Sequence, residues 1–178
     1  PLYGFTGVGL RNNAILGALL MEELAPAAGE EAAAADTAGL FRSLGKLALA
    51  RIVADGAPVG PFPATETSAL ACWERETFGQ TSNQATATIL REWRFPPEVT
   101  QAIEEHYHPA THHHPLAGLL NLTGQLAEKL GHGLPGEARY WLKPALPANL
   151  GATAIERASE RAIKAFDQIN GSVLQQVA

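Results

Sequence analysis

The sequence predicts an all-α helical bundle. Apolar residues recur at helical spacings along most of its length, no stretch alternates apolar and polar as a half-buried strand does, and glycine or proline closes most periodic segments. The first helix is predicted over Val8 to Leu24, ending before Pro26, with the small, acidic stretch Ala27 to Ala35 as a loop. Asp36 or Thr37 is placed to cap the next helix. There Leu40, Leu44, Leu47 and Arg51 follow one stripe and Phe41, Ala48 and Ile52 its neighbour, a face wide enough to bury. Pro58, Pro61 and Pro63, with Gly56 and Gly60, hold an irregular connection. A helix resumes near Glu66, turns Leu70 and Trp73 inward, and stops at Gly79, a residue suited to a left-handed cap. Thr81 and Gln84 stand at capping-box spacing before a helix whose Ala85, Ile89 and Trp93 recur every four residues. Pro96 closes it, and Pro97 opens another helix with Val99, Ile103 and Tyr107 facing the core and His106 at the edge of that face. Beyond a loop from His108 to Pro115, Leu116, Leu119, Leu120, Thr123, Ala127 and Leu130 mark a long amphipathic helix ending at Gly131. Residues 134–151 hold at most a short helix. Thr153 and Glu156 read as a second capping box, opening a final helix with Ile155, Ala158, Ala162, Phe166, Ile169 and Val173 inward.

Composition narrows the function classes. A length of 178 residues, 46% of them hydrophobic and 17% charged, suits one domain with its own core. The single cysteine, Cys72, excludes an internal disulfide and Cys-based zinc spacing, which fits the reducing cytoplasm. A net charge of -5 without a Lys/Arg cluster disfavours nucleic acid as a partner. The longest apolar stretch, Ala14 to Met21, is too short for a membrane span, so no membrane partner is expected.

Three segments, in order, resemble the HDOD family, non-catalytic relatives of the HD metal phosphohydrolases found in bacterial signal transduction. Ala38-Gly39-Leu40-Phe41-Arg42-Ser43-Leu44-Gly45-Lys46-Leu47 resembles the stretch in which HD proteins carry an adjacent His-Asp pair, here replaced by Arg42 and Ser43. Glu76-Thr77-Phe78-Gly79 and Ile89-Leu90-Arg91-Glu92-Trp93-Arg94-Phe95-Pro96 resemble the family's Glu, Phe-Gly and Leu-Leu-x-x-Trp-x-x-Pro signature, the most specific match. Ala102-Ile103-Glu104-Glu105-His106-Tyr107-His108-Pro109, followed by Pro115-Leu116-Ala117, resembles the Ile-x-x-His-His segment and its following helix. The resemblance spans about Leu10 to Ala127. It implies that residues 1–178 form one helical domain without the helical lobe with which family members normally begin.

The same resemblance implies where a metal centre would stand. The first-helix His position falls at Asn12, the His-Asp pair at Arg42 and Ser43, an intermediate His at Ser82, and the final Asp at Gly124, leaving His106 as the one retained ligand type. One imidazole does not hold a catalytic divalent ion, and Arg42 puts a permanent positive charge at the metal's place. No catalytic residue, metal or cofactor is therefore expected. The expected function is a regulatory module working through protein partners or neighbouring domains, with self-association allowed. Two rivals remain open: an HD-type phosphohydrolase or cyclic-dinucleotide phosphodiesterase with rearranged ligands, and a small-molecule sensor using a polar cavity left by Asn12, Ser43 and Ser82.

Other conspicuous residues have plainer readings. His106, His108, His112, His113 and His114 crowd into one segment, but without Cys or Asp partners they suit adventitious metal capture better than an evolved site. His106 is expected to be a half-buried, hydrogen-bonded structural imidazole. Glu104 and Glu105 are adjacent and diverge around a helix, which suits a solvated face. Cys72 beside Trp73 reads as a small core residue. The glycines at 4, 7 and 9 lack a preceding strand and do not make a nucleotide loop. Leu2, Tyr3, Phe5 and Val8, with no charge among residues 1–10, read as a segment covered by an upstream lobe, a partner or a second copy.

Overall fold

The computed structural model describes residues 1–65, 69–109, 114–141 and 150–177, the stretch 173–177 by backbone alone. All regular structure among these residues is helical: α1 Gly7–Ala28, α2 Ala32–Phe41, α3 Leu44–Ala54, α4 Leu70–Phe78, α5 Ser82–Glu92, α6 Pro97–Glu105, α7 Pro115–Lys129 and α8 Ala152–Val177, with a 3₁₀ turn at Ala138–Tyr140. No described helix is long and apolar enough to cross a membrane.

Local signals set several boundaries as expected. Gly79 caps α4 at φ 74°. Thr81 and Gln84 make a reciprocal capping box at the start of α5, and Pro97 occupies the first turn of α6. The glycines near the front make no ligand loop; Thr6 Oγ1 accepts the Gly9 N–H and caps α1.

Other boundaries depart from the sequence reading. α1 runs through Pro26 to Ala28, because the proline sits in the last turn and the helix closes beyond it. Gly29 at φ 79° and Glu30 return their N–H groups to Pro26 and Ala25, the paired bonds of a Schellman motif. The expected loop from Ala27 to Ala35 thus shrinks to three residues, and Asp36 and Thr37 lie inside α2 instead of capping it. The Glu66 start of the next helix falls outside the described residues. Thr153 lies inside α8, in whose first turn the Ala154 and Ile155 amides bond the Gly151 carbonyl at 3.0 and 3.1 Å.

The helix expected through residues 37–52 is broken at Arg42 and Ser43, because its two halves pack on different partners, α2 on α1 and α3 on α5. Both packings use small residues. A Cβ at Gly39 would lie 2.5 Å from the Gly17 carbonyl oxygen, and one at Gly45 would lie 1.9 Å from that of Ser82. The backbones approach too closely for the larger stripes to face inward, so Leu40, Leu47 and Ile52 are exposed.

Three further core assignments are corrected. Trp93 is 57% exposed, because α5 ends at Glu92 and Arg94, at φ 62°, turns the chain off the helical phase. Its ring meets Phe41 and Phe95 at the surface. Cys72 is exposed, and α4 buries Leu70 and Glu74. Ile169 is also exposed, while Val173 is described by backbone alone.

Two apolar clusters form among the described residues. The larger joins α1, α2, α6, α7 and α8 around Leu20, Leu24, Ile103, Leu120 and Phe166. The smaller gathers Tyr3, Phe62, Leu70, Tyr107 and Tyr140. Tyr3 is 2% exposed, stacks on Phe5 and meets the edge of Trp73, while Phe62 N–H donates to the Leu2 carbonyl at 2.7 Å. The front of the chain, expected to await an outside cover, is covered by the chain itself. Of Leu2, Tyr3, Phe5 and Val8, Val8 alone is exposed.

Candidate functional site

Between the two clusters lies a group of buried charges. The break between α2 and α3 turns Arg42 inward, and Lys46 follows one turn into α3; both are almost fully buried. From the segment after α7 comes Glu137, wholly buried. Its Oε2 accepts from Arg42 Nη1 at 2.7 Å and its Oε1 from Lys46 Nζ at 2.6 Å and Tyr107 OH at 2.9 Å. Arg42 Nη2 donates to Asn13 Oδ1 at 2.7 Å, and Asn13 Nδ2 donates to the His132 carbonyl at 2.7 Å. The guanidinium also lies 5.5 Å from the Trp141 ring centroid. Burying ions costs several kcal/mol each unless every charge is paired and bonded, and this carboxylate meets both cations while a tyrosine fills its remaining capacity.

The positions singled out in the sequence are only partly brought together. Arg42 is inside the cluster, and Ser82 borders it, its Oγ 3.5 Å from Lys46 Nζ and its backbone N–H on the Glu74 carboxylate at 2.8 Å. Ser43 is buried beside Arg42. Asn12 lies outside, half-buried, its Oδ1 accepting from Arg11; the inward asparagine is Asn13, in phase with Leu10, Leu16 and Gly17. At Gly124 the missing side chain makes room for an indole, since a Cβ there would lie 2.4 Å from the Trp141 ring. Arg42, Lys46 and Trp141 thus stand in the region where a polar cavity was expected.

His106 is fully buried, not half-buried. Its Nδ1 lies 2.6 Å from the Ile103 carbonyl, which can only accept, so Nδ1 carries the proton and Nε2 the lone pair, without a described hydrogen-bond partner. Burial, with the nearby Arg42 charge, lowers its pKa to about 3. Burial alone would raise Glu137, but the charges of Arg42 and Lys46 outweigh it and hold the carboxyl near about 2. Burial, then the Glu137 charge, raises Tyr107 well above the ordinary phenol range. A carboxylate held ionised, an imidazole held neutral and a phenol held protonated are all far from the near-neutral pKa that a general acid or base needs.

Sequence reasoning missed Glu137, Lys46, Asn13, Tyr107 and Trp141 as members of the site. Helical phase could have distinguished Asn13 from Asn12. The lone acid between Gly136 and the aromatics Tyr140 and Trp141 was the available hint of Glu137. The histidine-rich segment does not assemble: His108 is exposed, His114 sits at the N-terminus of α7, and His112 and His113 lie outside the described residues. Among the described residues no three His, Cys, Asp or Glu side chains converge as a metal-ligand group. The donors an HD-type metal would need are not those present at this position, where two cations and one committed carboxylate do not fit a divalent ion.

Comparison with known proteins bears on the fold and the family. No curated protein matches the chain. A crystal structure from Shewanella amazonensis SB2B, whose name proposes a phosphohydrolase, superposes with a TM-score of 0.57 at 20% identity, covering 91% of this chain and 56% of that one. The chain thus spans little more than half the length of that protein, with which it shares a fold. The family model for the HDOD domain matches residues 3–109, and the chain belongs to the HDOD family, a relative of the HD phosphohydrolases.

Proposed function

We propose that this HDOD chain is a non-catalytic regulatory module of a bacterial cytoplasmic signalling system, acting through contacts with a protein partner or with other domains of the same protein. One observation carries the reading: where HD hydrolases gather metal ligands, this chain places Arg42 and Lys46 against Glu137, and Trp141 fills the gap at Gly124. Fixed internal cations supply the positive charge that a metal would, but they are consumed by the fold and leave no coordination position for water or phosphate. The aromatic group of Phe41, Trp93 and Phe95, with Leu40 exposed next to Phe41, supports a role in protein contacts.

The test is elemental analysis of untagged protein after dialysis against chelator, with a phosphodiesterase assay in Mn or Fe. The expected outcome is no stoichiometric metal and no turnover. One retained equivalent of Fe, Mn or Zn, with activity abolished by His106→Ala, would replace this reading with the enzymatic one.

A further inference from the structure

α1 packs against both α7 and α8, which hardly touch one another among the described residues. A groove of about 700 Å³ lies between the end of α7 and the first turns of α8. Its floor is the edge of the larger apolar cluster: Leu126 and Leu130 come from α7, Ile155 and Ile163 from α8, and of these Leu130, Ile155 and Ile163 are only partly buried. On α8 the lining residues Ile155, Ser159 and Ile163 stand four apart on one stripe. To one side of that stripe Ala158, Ala162 and Phe166 are buried. To the other, Glu156 and Glu160 are exposed and rim the groove, one turn apart. Lys129 rims it from α7. Among the described residues none of these three charges is in an ion pair.

We propose that this groove seats an amphipathic helix of a protein partner, its apolar face on Leu130, Ile155 and Ile163 and its cations along Glu156 and Glu160. A helix suits the groove because it satisfies its own backbone hydrogen bonds, whereas an extended segment would need strand partners, and all regular structure among the described residues is helical. The sign of the partner follows from the rim, where two acids on α8 outweigh one lysine on α7. The same acids argue against a second copy: an isologous contact through α8 would set Glu156 and Glu160 against their own counterparts, on a chain already at a net charge of -5. The proposal deepens the reading of this chain as a module that acts through contacts and rests on it, but a failed titration of the groove leaves the metal and phosphodiesterase tests of that reading untouched.

The probe is a synthetic amphipathic helix of leucine and lysine, titrated into the full chain at fixed ionic strength and followed by amide NMR, beside the same helix with glutamate in place of lysine. Saturable shifts centred on Leu126, Leu130, Ile155 and Ser159 are expected with the lysine helix, which should bind on the order of tenfold more tightly than the glutamate helix. The double variant Glu156→Lys/Glu160→Lys should reverse that preference, a result that mere loosening of α8 would not give, while Glu92→Lys/Glu98→Lys, on exposed residues elsewhere, should leave it in place. No saturable binding, shifts centred on Phe41 and Trp93 instead, equal binding of the two helices, or a preference that ignores Glu156→Lys/Glu160→Lys overturns the proposal. So do shifts at the same amides when the chain alone is diluted, which would give the groove to a second copy.

Discussion

A carboxylate shared by two buried cations cannot be removed without stranding both. Glu137→Gln keeps the shape of the side chain but leaves Arg42 and Lys46 without a counter-charge, and breaking a buried pair in this way costs ~3–5 kcal/mol. Denaturant melts at neutral pH check this. The pH dependence has two parts. Glu137 is depressed in the folded chain to about 2 from 4.5, so its contribution is complete above 4.5 and is lost as pH falls toward 2. His106 is depressed to about 3 from 6.5, so between those values the unfolded chain binds the proton that the folded chain refuses, and stability falls as pH is lowered from 6.5. Acid destabilisation is expected to begin below 6.5, with His106→Gln removing the upper part of the decline and Glu137→Gln the lower. A wild-type chain equally stable at 6.5 and 4.5 would show that His106 titrates freely in the fold.

At the scale of the element, helix position here is governed by glycine as much as by leucine. Gly45 sits where α3 touches α5, its N–H bonded to Thr86 Oγ1 at 2.8 Å and its Cβ position overlapping the Ser82 carbonyl. Adding a methyl must push the helices apart and shift Lys46, the next residue, away from Glu137. Gly45→Ala is expected to cost at least ~1–3 kcal/mol, the range for overpacking. Gly118, the fourth residue of α7, has nothing within 4 Å of its Cβ position, so Gly118→Ala is expected to stabilise by up to ~1 kcal/mol through helix propensity alone. Thermal melts of the two variants should move in opposite directions; a shift of the same sign would mean that close packing does not set the α3–α5 distance.

For the whole molecule, the front segment closes the smaller apolar cluster, and that cluster supplies Tyr107 to the buried charges around Glu137. Tyr3→Ser removes a buried aromatic ring and should cost several kcal/mol, near the ~3–5 kcal/mol typical of such truncations. Hydrogen exchange should quicken at α4 and the 3₁₀ turn, while the sedimentation coefficient of the folded fraction stays that of the parent chain. Unchanged exchange with altered association would mean that Tyr3 serves a contact with another molecule after all.

The sequence by itself determined the helical class, the family, and the boundaries closed by chemistry within a few residues. Gly79, the Thr81–Gln84 pair and Pro97 act through their own backbone and immediate neighbours. Through the resemblance it also implied that ligand positions of a metal hydrolase fall at Arg42, Ser43 and Gly124, residues that can be read without coordinates. Tertiary structure decided what stands there instead. Glu137 lies 95 residues from Arg42 and 91 from Lys46, and no local period links them. It also decided which face of a helix is buried: Gly39 and Gly45 allow close approach, so Leu40 and Leu47 remain outside despite their hydrophobicity. Local bonds depend on neighbouring residues and are legible in order along the chain, whereas the pairing of distant charges and the closeness of two backbones depend on where the whole chain has come to rest.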